Sequence, residues 1–481
     1  MKIYNSLTRQ KEVFSTITPG VVKMYTCGQT VYNDIHMGNA RFYVVYDAVR
    51  RHLERRGYDV VFVQNFTDID DKIIDKANQE RCEASEIAIR YISRTLEDLE
   101  TLGVKPATVN PRVTEELDVI IDMIQDLLTK GYAYESNGTV YFSVEKFSDY
   151  GKLSKKKLES LEAGKRVEVE KEKRSPFDFV LWKPAKECEP KYESPWGDGR
   201  PGWHIECSAM VKKYLGDEID IHGGGEDLIF PHHENEIAQS ETSTGKNFAR
   251  FWMHCGILTA DHKKMSKSSG NFFTFREVIS KFPADVIRFY LLSGHYRMPM
   301  EFGETVLEAA EAGLRRIKTC YQNLLFRIDA GDFDSTPTNV MENQCRDGFQ
   351  PTEIETLKKE ALEFRINFDE SMDDDFNTAD AISAIFELVK FINVKLASEE
   401  KYTLGCFEFM RNELCELAGY LGFELGNEVQ ANEAIIEELI EKRNAAKKDK
   451  NFAEADRIRE ELTQMGISIE DTRQGVRWKR T

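Results

Sequence analysis

The sequence predicts an α/β protein built on a doubly wound parallel sheet and followed by helices. Two observations support the sheet. Val21 to Cys27 and Tyr58 to Gln64 have the apolar content of buried strands, and Ala40 to Leu53, between them, has apolar residues at helical spacing. A second strand-loop-helix unit lies between Ile219 and Ile237. Two such units predict a Rossmann-type sheet assembled from two halves.

Composition narrows the class of protein. The chain has 481 residues and is 41% hydrophobic, which predicts a globular protein of several domains. It contains no run of about 18 apolar residues, and its N-terminus lacks the apolar core of a signal peptide, so we expect no membrane partner and a cytoplasmic location. Nine scattered cysteines indicate thiols or metal ligands rather than disulfides. A net charge of −18 argues against a generic nucleic-acid binder.

The pattern along the chain predicts five parts. Residues 1–104 form the first half of the sheet domain, ending in one helix from about 73 to 104. The Asn-Gly turn and alternating aromatics of 132–144 predict a hairpin within an inserted connective segment, 105–200. Residues 201–300 form the second half, in which a glycine-rich loop follows the strand Ile219–His222. A helical bundle (301–428) and a small C-terminal domain (429–481) complete the chain.

The turn after the first strand predicts an anion site. A helix begins near Gly38, and the free N–H groups and positive dipole end of a helix N-terminus attract phosphate. Gly38 has no side chain to block close approach, and His36 and Asn39 can donate hydrogen bonds. The alternative is an ordinary loop histidine facing solvent.

Ligand spacing predicts a metal site. His232 and Glu236 stand at i and i+4, so their side chains share one helix face, and Cys27 and Cys207 are the natural thiol pair to complete a tetrahedral zinc site. The histidines that compete as nitrogen donors are His233, His222 and His204. A swap between His232 and His233 stays open, as does a surface pair beside two ordinary buried thiols.

Lys264-Met-Ser-Lys-Ser268 predicts phosphate binding. Two lysines, Lys264 and Lys267, in a hydroxyl-rich turn can contact separate phosphates of one nucleotide, although most short basic runs are solvated faces. Together with the His-x-Gly-x turn at the first strand, this stretch is the paired signature of class I aminoacyl-tRNA synthetases.

The chain closely resembles the cysteinyl-tRNA synthetase family. The resemblance runs through Cys27-Gly28, Asn65-Phe-Thr-Asp-Ile-Asp-Asp, Gly199-Arg-Pro-Gly-Trp-His-Ile-Glu-Cys-Ser-Ala-Met210, His222-Gly-Gly-Gly, Phe230-Pro-His-His-Glu-Asn-Glu, the Lys-Met-Ser-Lys-Ser stretch and Glu470-Asp-Thr-Arg-Gln-Gly475. It implies one Zn²⁺ per subunit, held by Cys27, Cys207, His232 and Glu236 and completed by the substrate's sulfur. It also implies that Thr67 and Trp203 line the cysteine pocket and that Lys267 contacts ATP. Two residues depart from the family pattern: Gln29 replaces a proline, and Asn39 replaces a histidine.

The resemblance implies a two-step reaction. The carboxylate of L-cysteine attacks the α-phosphorus of Mg²⁺-ATP, and the adenylate then transfers cysteine to tRNA(Cys). His36, Asn39, Lys264 and Lys267 would stabilise the phosphates, while Gly38, Gly223 and Gly224 would let backbone approach the nucleotide. We expect a monomer.

Recognition of tRNA is expected in the C-terminal domain. By the resemblance, Phe452 would stack on an unpaired anticodon base, Asp456 would accept hydrogen bonds from a base edge, and Lys447 would contact phosphate. The alternative places Phe452 in the core of a helical hairpin. A rival enzyme on the same core, which transfers cysteine to a small amino-sugar, would lack residues 430–481. A non-catalytic RNA-binding relative would have lost lysines or zinc ligands that this chain retains.

Overall fold

A four-stranded parallel sheet forms the centre of the computed structural model of this chain. Its strands are, in spatial order, β10 (Ala249–Cys255), β9 (Ile219–Gly225), β3 (Val21–Thr26) and β4 (Asp59–Gln64). All neighbouring pairs are parallel. The chain winds in opposite directions from β3 and from β9, so the crevice between their carboxyl ends is the position where such sheets bind ligands. The predicted Rossmann-type fold is confirmed.

The structure describes residues 1–157, 172–187, 189–260, 263–264, 273–331, 353–400, 402–448, 451–464, 467–472 and 475–480. The helices in these ranges are α1 (Met37–Arg55), α2 (Asp71–Glu80), α3 (Ala84–Thr101), α4 (Leu117–Thr129), α5 (Trp203–Tyr214), α6 (Glu234–Thr244), α7 (Phe275–Ile279), α8 (Ala284–Leu292), α9 (Glu304–Asp329), α10 (Glu353–Asp373), α11 (Thr378–Ala397), α12 (Leu404–Tyr420), α13 (Asn427–Lys448) and α14 (Phe452–Gln464). The other strands are β1 (Lys2–Asn5), β2 (Gln10–Val13), β5 (Ala133–Ser136), β6 (Thr139–Phe142), β7 (Phe179–Pro184), β8 (Gly199–Pro201), β11 (Leu258–Ala260), β12 (Lys263–Lys264), β13 (Met300–Glu301), β14 (Ile467–Thr472) and β15 (Gly475–Arg480).

The inserted segment packs on the same core as the sheet. Strands β5 to β8 form an antiparallel sheet, and Asn137 and Gly138 have φ values of 51° and 79°, as the predicted Asn-Gly hairpin requires. Phe142 and Trp182 belong to one buried cluster with Tyr25 and Val63 of the parallel sheet. The insertion therefore shares its hydrophobic core with the sheet instead of folding apart from it.

Two predicted elements were wrong. The single helix over 73–104 is two helices, because Arg81 adopts φ 57° and ends α2 in the left-handed region. The glycine-rich loop after His222 is instead the end of β9, where Gly223, Gly224 and Gly225 continue to pair with β10.

The chain divides into two compact units, residues 1–422 and 423–481. Helices α9 to α12 of the first unit form the predicted bundle. In the second unit α13, α14 and the β14–β15 hairpin pack around Ile440, Ile458, Leu462 and Ile467. The finer predicted boundaries stay predictions. Within the ranges that the structure describes, every helix is too short or too polar to span a membrane. The described cysteines are free thiols: Cys27, Cys82, Cys207, Cys255, Cys320, Cys406 and Cys415.

Candidate active site

A cavity of about 320 Å³ opens beyond the carboxyl ends of β3, β9 and β10. Its wall combines the turn after β3, the first turn of α1, the residues that follow β9 and β10, Lys72 and Trp203. Cys27 and His36 both line it. The predicted metal and phosphate sites therefore open into one cavity.

The first turn of α1 is held by a reciprocal capping box. The backbone N–H of Asn39 donates to His36 Nδ1, and the backbone N–H of His36 donates to Asn39 Oδ1, both at 3.2 Å. Since Nδ1 is an acceptor, a neutral His36 carries its proton on Nε2. A Cβ at Gly38 would lie 2.8 Å from the His36 ring, so glycine is what allows the ring to fold over the helix terminus. His36 and Asn39 therefore organise the anion site as well as facing it.

Four buried side chains form a metal-type cluster beside the cavity. The ligand atoms of Cys27, Cys207, His232 and Glu236 lie within 4.8 Å of one another. His232 Nε2 is 2.9 Å from Glu236 Oε1, Cys27 Sγ is 3.2 Å from the same oxygen, and Cys207 Sγ is 3.7 Å from His232 Nε2. Tetrahedral zinc sites with these donors hold them roughly 3.3 to 3.8 Å apart. The donor set therefore suits a zinc ion. The 3.7 Å separation lies within that range, and the separations of 3.2 and 2.9 Å are slightly shorter than it. His232 lies in a five-residue π-turn, Ile229–His233, directly before α6, and not within an α-helix as predicted.

A second set of donors overlaps the first. Cys27 and Glu236 also lie within 4.8 Å of His222 and His233 donor atoms, and His233 Nε2 is 3.4 Å from Cys27 Sγ. His222 Nε2 bonds the other carboxylate oxygen, Glu236 Oε2, at 2.7 Å. This second contact leaves Oε1 directed at His232, in the manner of an outer partner that orients a metal ligand. His204 belongs to neither set, and its Nδ1 lies 2.9 Å from His232 Nδ1.

The electrostatics of the cluster suit a cation. Burial opposes ionisation of Glu236, but His222 and His232 outweigh it and hold the pKa of this carboxyl well below its usual range. Burial likewise opposes a charged His232, yet Glu236 and Cys207 raise its pKa to about 10. The hydrogen bond with Cys27 lowers the pKa of Cys207 to about 6, whereas burial raises that of Cys27. An ionised carboxylate and an acidified thiol thus share one buried site with an imidazolium, whose proton a metal ion would displace on binding.

Comparison with known proteins identifies the family. Residues 13–312 match the class I (C) tRNA synthetase catalytic domain, 367–426 match a DALR domain, and 432–478 match the cysteinyl-tRNA ligase anticodon binding domain. The chain is 52% identical over 484 residues to a cysteine–tRNA ligase of Lachnoclostridium phytofermentans and 51% identical over 480 residues to one of Clostridioides difficile, with 100% of each chain covered. The chain belongs to the cysteine–tRNA ligase family. The predicted enzyme class, an aminoacyl-tRNA synthetase, is confirmed.

Solved structures agree on the fold of this cysteine–tRNA ligase family member. A Mycobacterium tuberculosis methionyl-tRNA synthetase in complex with methionyl-adenylate aligns with a TM-score of 0.61 at 15% identity, covering 83% of this chain and 90% of the other. A putative arginyl-tRNA synthetase from Campylobacter jejuni aligns with a TM-score of 0.55 at 14% identity, covering 86% and 94%. At these identities the likeness concerns the fold alone. The anticodon-domain match, by contrast, covers the region that the rival amino-sugar ligase would lack.

Of the two residues predicted to line the cysteine pocket of this ligase, Trp203 lines the cavity and Thr67 does not. Trp203 is 41% exposed, lines the cavity and places its ring centroid 4.3 Å from that of His232. Thr67 is buried, and its hydroxyl donates to Glu206 Oε2 at 3.0 Å, while its backbone bonds Gln29 and Val31. Thr67 therefore supports the turn behind Cys27, and a direct contact with substrate stays a prediction.

The glycines after His222 have packing roles in the family's sheet. A Cβ at Gly223 would lie 2.4 Å from the Tyr46 ring, and one at Gly224 would lie 2.4 Å from the His233 ring. Gly225 lines the cavity. Close approach of Gly223 and Gly224 to a nucleotide therefore stays a prediction, whereas their contacts with two aromatic rings already require glycine.

The remaining predicted residues lie around the catalytic core or in the second unit. Lys264 belongs to β12, whose backbone pairs with β11, and Lys267 lies outside the described residues. Phe452 is 63% exposed at the start of α14, so its placement in a helical-hairpin core was wrong. Asp456 lies one turn further along α14, also exposed, and Lys447 is in the last turn of α13.

Three supporting residues were missed by the sequence reasoning. Arg41, fully buried on α1, donates to five backbone carbonyls, of Gly256, Ile257, His295, Tyr296 and Met298. Asn65 Oδ1 accepts from the backbone N–H of Gly28 at 2.8 Å and from the Tyr25 hydroxyl. The Tyr46 hydroxyl accepts from Gly224 N and donates to the carbonyl of Met253. Their proximity to the family motifs in sequence was a signal, but their partners lie far along the chain.

Proposed function

We propose that this enzyme activates L-cysteine with Mg²⁺-ATP and transfers it to tRNA(Cys), and that it selects cysteine through a zinc ion held by Cys27, Cys207, His232 and Glu236. One observation carries the proposal. The buried cluster of soft and hard donors opens into the same cavity as the capped N-terminus of α1. A thiol-binding site and an anion site thus lie together, as joining cysteine to a nucleotide phosphate requires.

The donor set favours zinc over harder ions. Two thiols, an imidazole and one carboxylate suit zinc, whereas magnesium prefers an all-oxygen set. His222 fixes the Glu236 carboxylate through Oε2. When bound, zinc would favour the thiolate of cysteine over the alcohol of serine, a difference that a purely apolar pocket discriminates weakly.

The protein's own groups act by position and charge. The substrate carboxylate is ionised at neutral pH, so the first step requires no general base. The His36 Nε2–H and the N-terminus of α1 would stabilise charge developing on the α-phosphate, with Lys264 and Lys267 on the remaining phosphates. Trp203, whose part-exposed ring lies against that of His232, would cover the bound amino acid.

Anticodon reading is proposed for the second unit. Phe452 and Asp456 stand at i and i+4 on α14, so they share one face, and both are exposed. A stacked base and a hydrogen-bonded base edge on that face would identify tRNA(Cys). A monomer suffices for this arrangement.

Two assays test the function. Pyrophosphate exchange with each of the common amino acids should respond to cysteine alone, and an equal response to serine would contradict zinc-based selection. A chain truncated after Leu425 should keep cysteine activation and lose charging of tRNA(Cys) at sub-saturating tRNA. Undiminished charging by that chain would contradict the anticodon proposal, and transfer to an amino-sugar by the full chain would favour the rival ligase.

A further inference from the structure

The backbone that follows the Lys-Met-Ser-Lys-Ser stretch is joined to the His36 turn. Met37 N donates to Phe273 O at 3.1 Å, and Phe275 N donates to Ile35 O at 2.8 Å, with His36 and Thr274 opposite one another in an antiparallel bridge. The chain that leaves the lysine stretch therefore runs directly against the turn that carries the predicted phosphate contact.

A cluster of charged side chains reinforces this contact from α3. Arg276 Nη2 donates to Glu97 Oε2 at 2.8 Å, and its Nε lies 2.9 Å from Asp98 Oδ1 and 3.9 Å from Asp34 Oδ1. Arg94 forms a two-pronged pair with the carboxylate of Asp34. Asp98 is 4% exposed, so this cluster is partly shielded from water.

One face of α3 thus supports three segments around the cavity. Arg94 pairs with Asp34 in the turn before His36. Asp98 pairs with Arg276, which follows the lysine stretch. The Thr95 hydroxyl accepts a hydrogen bond at 2.6 Å from Gln29 Nε2, beside Cys27. Residues 94, 95 and 98 are neighbours on a helix surface. The positions of these three segments relative to one another therefore depend on α3.

We propose that Arg276 is a positioning residue for the use of ATP, because it joins Asp98 and Asp34 and thereby fixes the segment after Lys-Met-Ser-Lys-Ser against the His36 turn. This inference rests on the proposed function of the cavity. Arg276 is absent from the cavity wall and acts through the backbone it holds. A small displacement of groups that position reactants can lower a rate by about a hundredfold, although exposed ion pairs contribute little to stability.

The proposal is tested by kinetics of cysteine-dependent pyrophosphate exchange in Arg276→Gln, Asp98→Asn and the double variant of the full chain. Each single change should lower kcat/KM for ATP by roughly ten- to a hundredfold, leaving the KM for cysteine and the bound metal unchanged. The double variant should be no worse than the poorer single, because the two residues act through one contact. Arg276→Lys should retain part of the rate, since lysine keeps the positive charge but lacks the planar, two-pronged guanidinium.

A pH series adds a readout that loss of stability alone would not move. Burial raises the pKa of Asp98 to about 6, against the opposing effect of Arg276, with Asp34 and Arg94 as the other charged neighbours. Asp98 is therefore ionised above that pH. Below it, the loss of kcat/KM for ATP in Arg276→Gln relative to wild type should shrink. In the Asp98→Asn background the deficit should not change in this way.

Arg90→Gln is the matched control, since Arg90 lies on α3, the helix that carries Asp98, and pairs with Glu80 away from the cavity. ATP kinetics of Arg276→Gln equal to those of Arg90→Gln would overturn the proposal. A parallel loss of metal and of cysteine affinity would overturn it as well, because that pattern indicates general distortion. Absence of cysteine-dependent exchange in the wild type would instead contradict the proposed function.

Discussion

Replacing Arg41 by methionine should weaken both the fold and the nucleotide site. The guanidinium of this fully buried residue donates to Gly256 O at 2.8 Å, Ile257 O at 3.0 Å and Met298 O at 2.6 Å, besides the carbonyls of His295 and Tyr296. Hydrogen bonds to a charged group are typically worth about 1.5 to 3 kcal/mol each but are not additive. Removal of the guanidinium also relieves the cost of burying its charge. We therefore expect a net loss of about 3 to 5 kcal/mol.

The functional effect follows from the position of these carbonyls. Gly256 and Ile257 line the cavity, so their release should raise the KM for ATP more than that for cysteine. Thermal unfolding and pyrophosphate exchange measure the two effects, and Arg41→Lys, which keeps one cationic donor, should be intermediate in both. Arg50→Met is the control on the same helix, since Arg50 pairs with Glu54 and the carbonyl of Pro106. If Arg41→Met unfolds at the same temperature as Arg50→Met and has a normal KM for ATP, the carbonyl contacts do not support the site.

Three further predictions concern separate groups. Cys207→Ser should lose bound metal and cysteine activation, whereas Cys415→Ser on α12 should keep both. Elemental analysis measures the metal and pyrophosphate exchange measures activation. Full metal content in Cys207→Ser would exclude this thiol as a ligand. Lys267→Ala should slow adenylate formation about a hundredfold without changing metal content, and wild-type exchange would remove it from the mechanism. Burial opposes ionisation of Asp47, but Arg288 outweighs that effect and lowers the pKa of the Asp47 carboxyl. The stability that this carboxylate gives the fold is therefore present above about pH 3.9 and is lost as the pH falls through the lowered pKa. Asp47→Asn should remove that part of the acid transition and cost about 3 to 5 kcal/mol, because the buried Arg288 loses its carboxylate partner. An unchanged acid limb in urea titrations would contradict this.

The parts of the site that depend on local spacing were predictable from the sequence. His232 and Glu236 are four residues apart, and their side chains meet at 2.9 Å although His232 lies in a π-turn. The helix start was predicted near Gly38 from the helical spacing of the apolar residues between Ala40 and Leu53, and α1 begins one residue earlier, at Met37. Cys27 and Cys207 were paired because each adjoins one half of a sheet whose topology brings those ends together.

The features that were missed depend on distant or atypical contacts. Arg81 in the left-handed region splits a helix without a glycine or proline to signal the break. Gly223 and Gly224 resemble loop residues, yet they are glycine because Tyr46 and His233 occupy the adjacent space. Adjacent His232 and His233 both direct nitrogen atoms at Glu236, at 2.9 and 4.0 Å, so spacing alone could not choose between them. These distinctions arise only when side chains from separate elements compete for one volume.

Phe452 provides the sharpest test of tRNA recognition, since its ring is 63% exposed and therefore available to stack on a base. Stacking of one base on an aromatic ring is worth about 1 to 3 kcal/mol, so Phe452→Ala should raise the KM for tRNA(Cys) by roughly 5- to 150-fold. Cysteine activation should be unaffected because Phe452 lies in the second compact unit. Phe326→Ala is a matched control, since Phe326 is 61% exposed in the first unit. Phe452→Trp should retain charging, because indole offers a larger stacking surface. Equal charging by Phe452→Ala and Phe326→Ala at sub-saturating tRNA would show that this ring does not contact the anticodon.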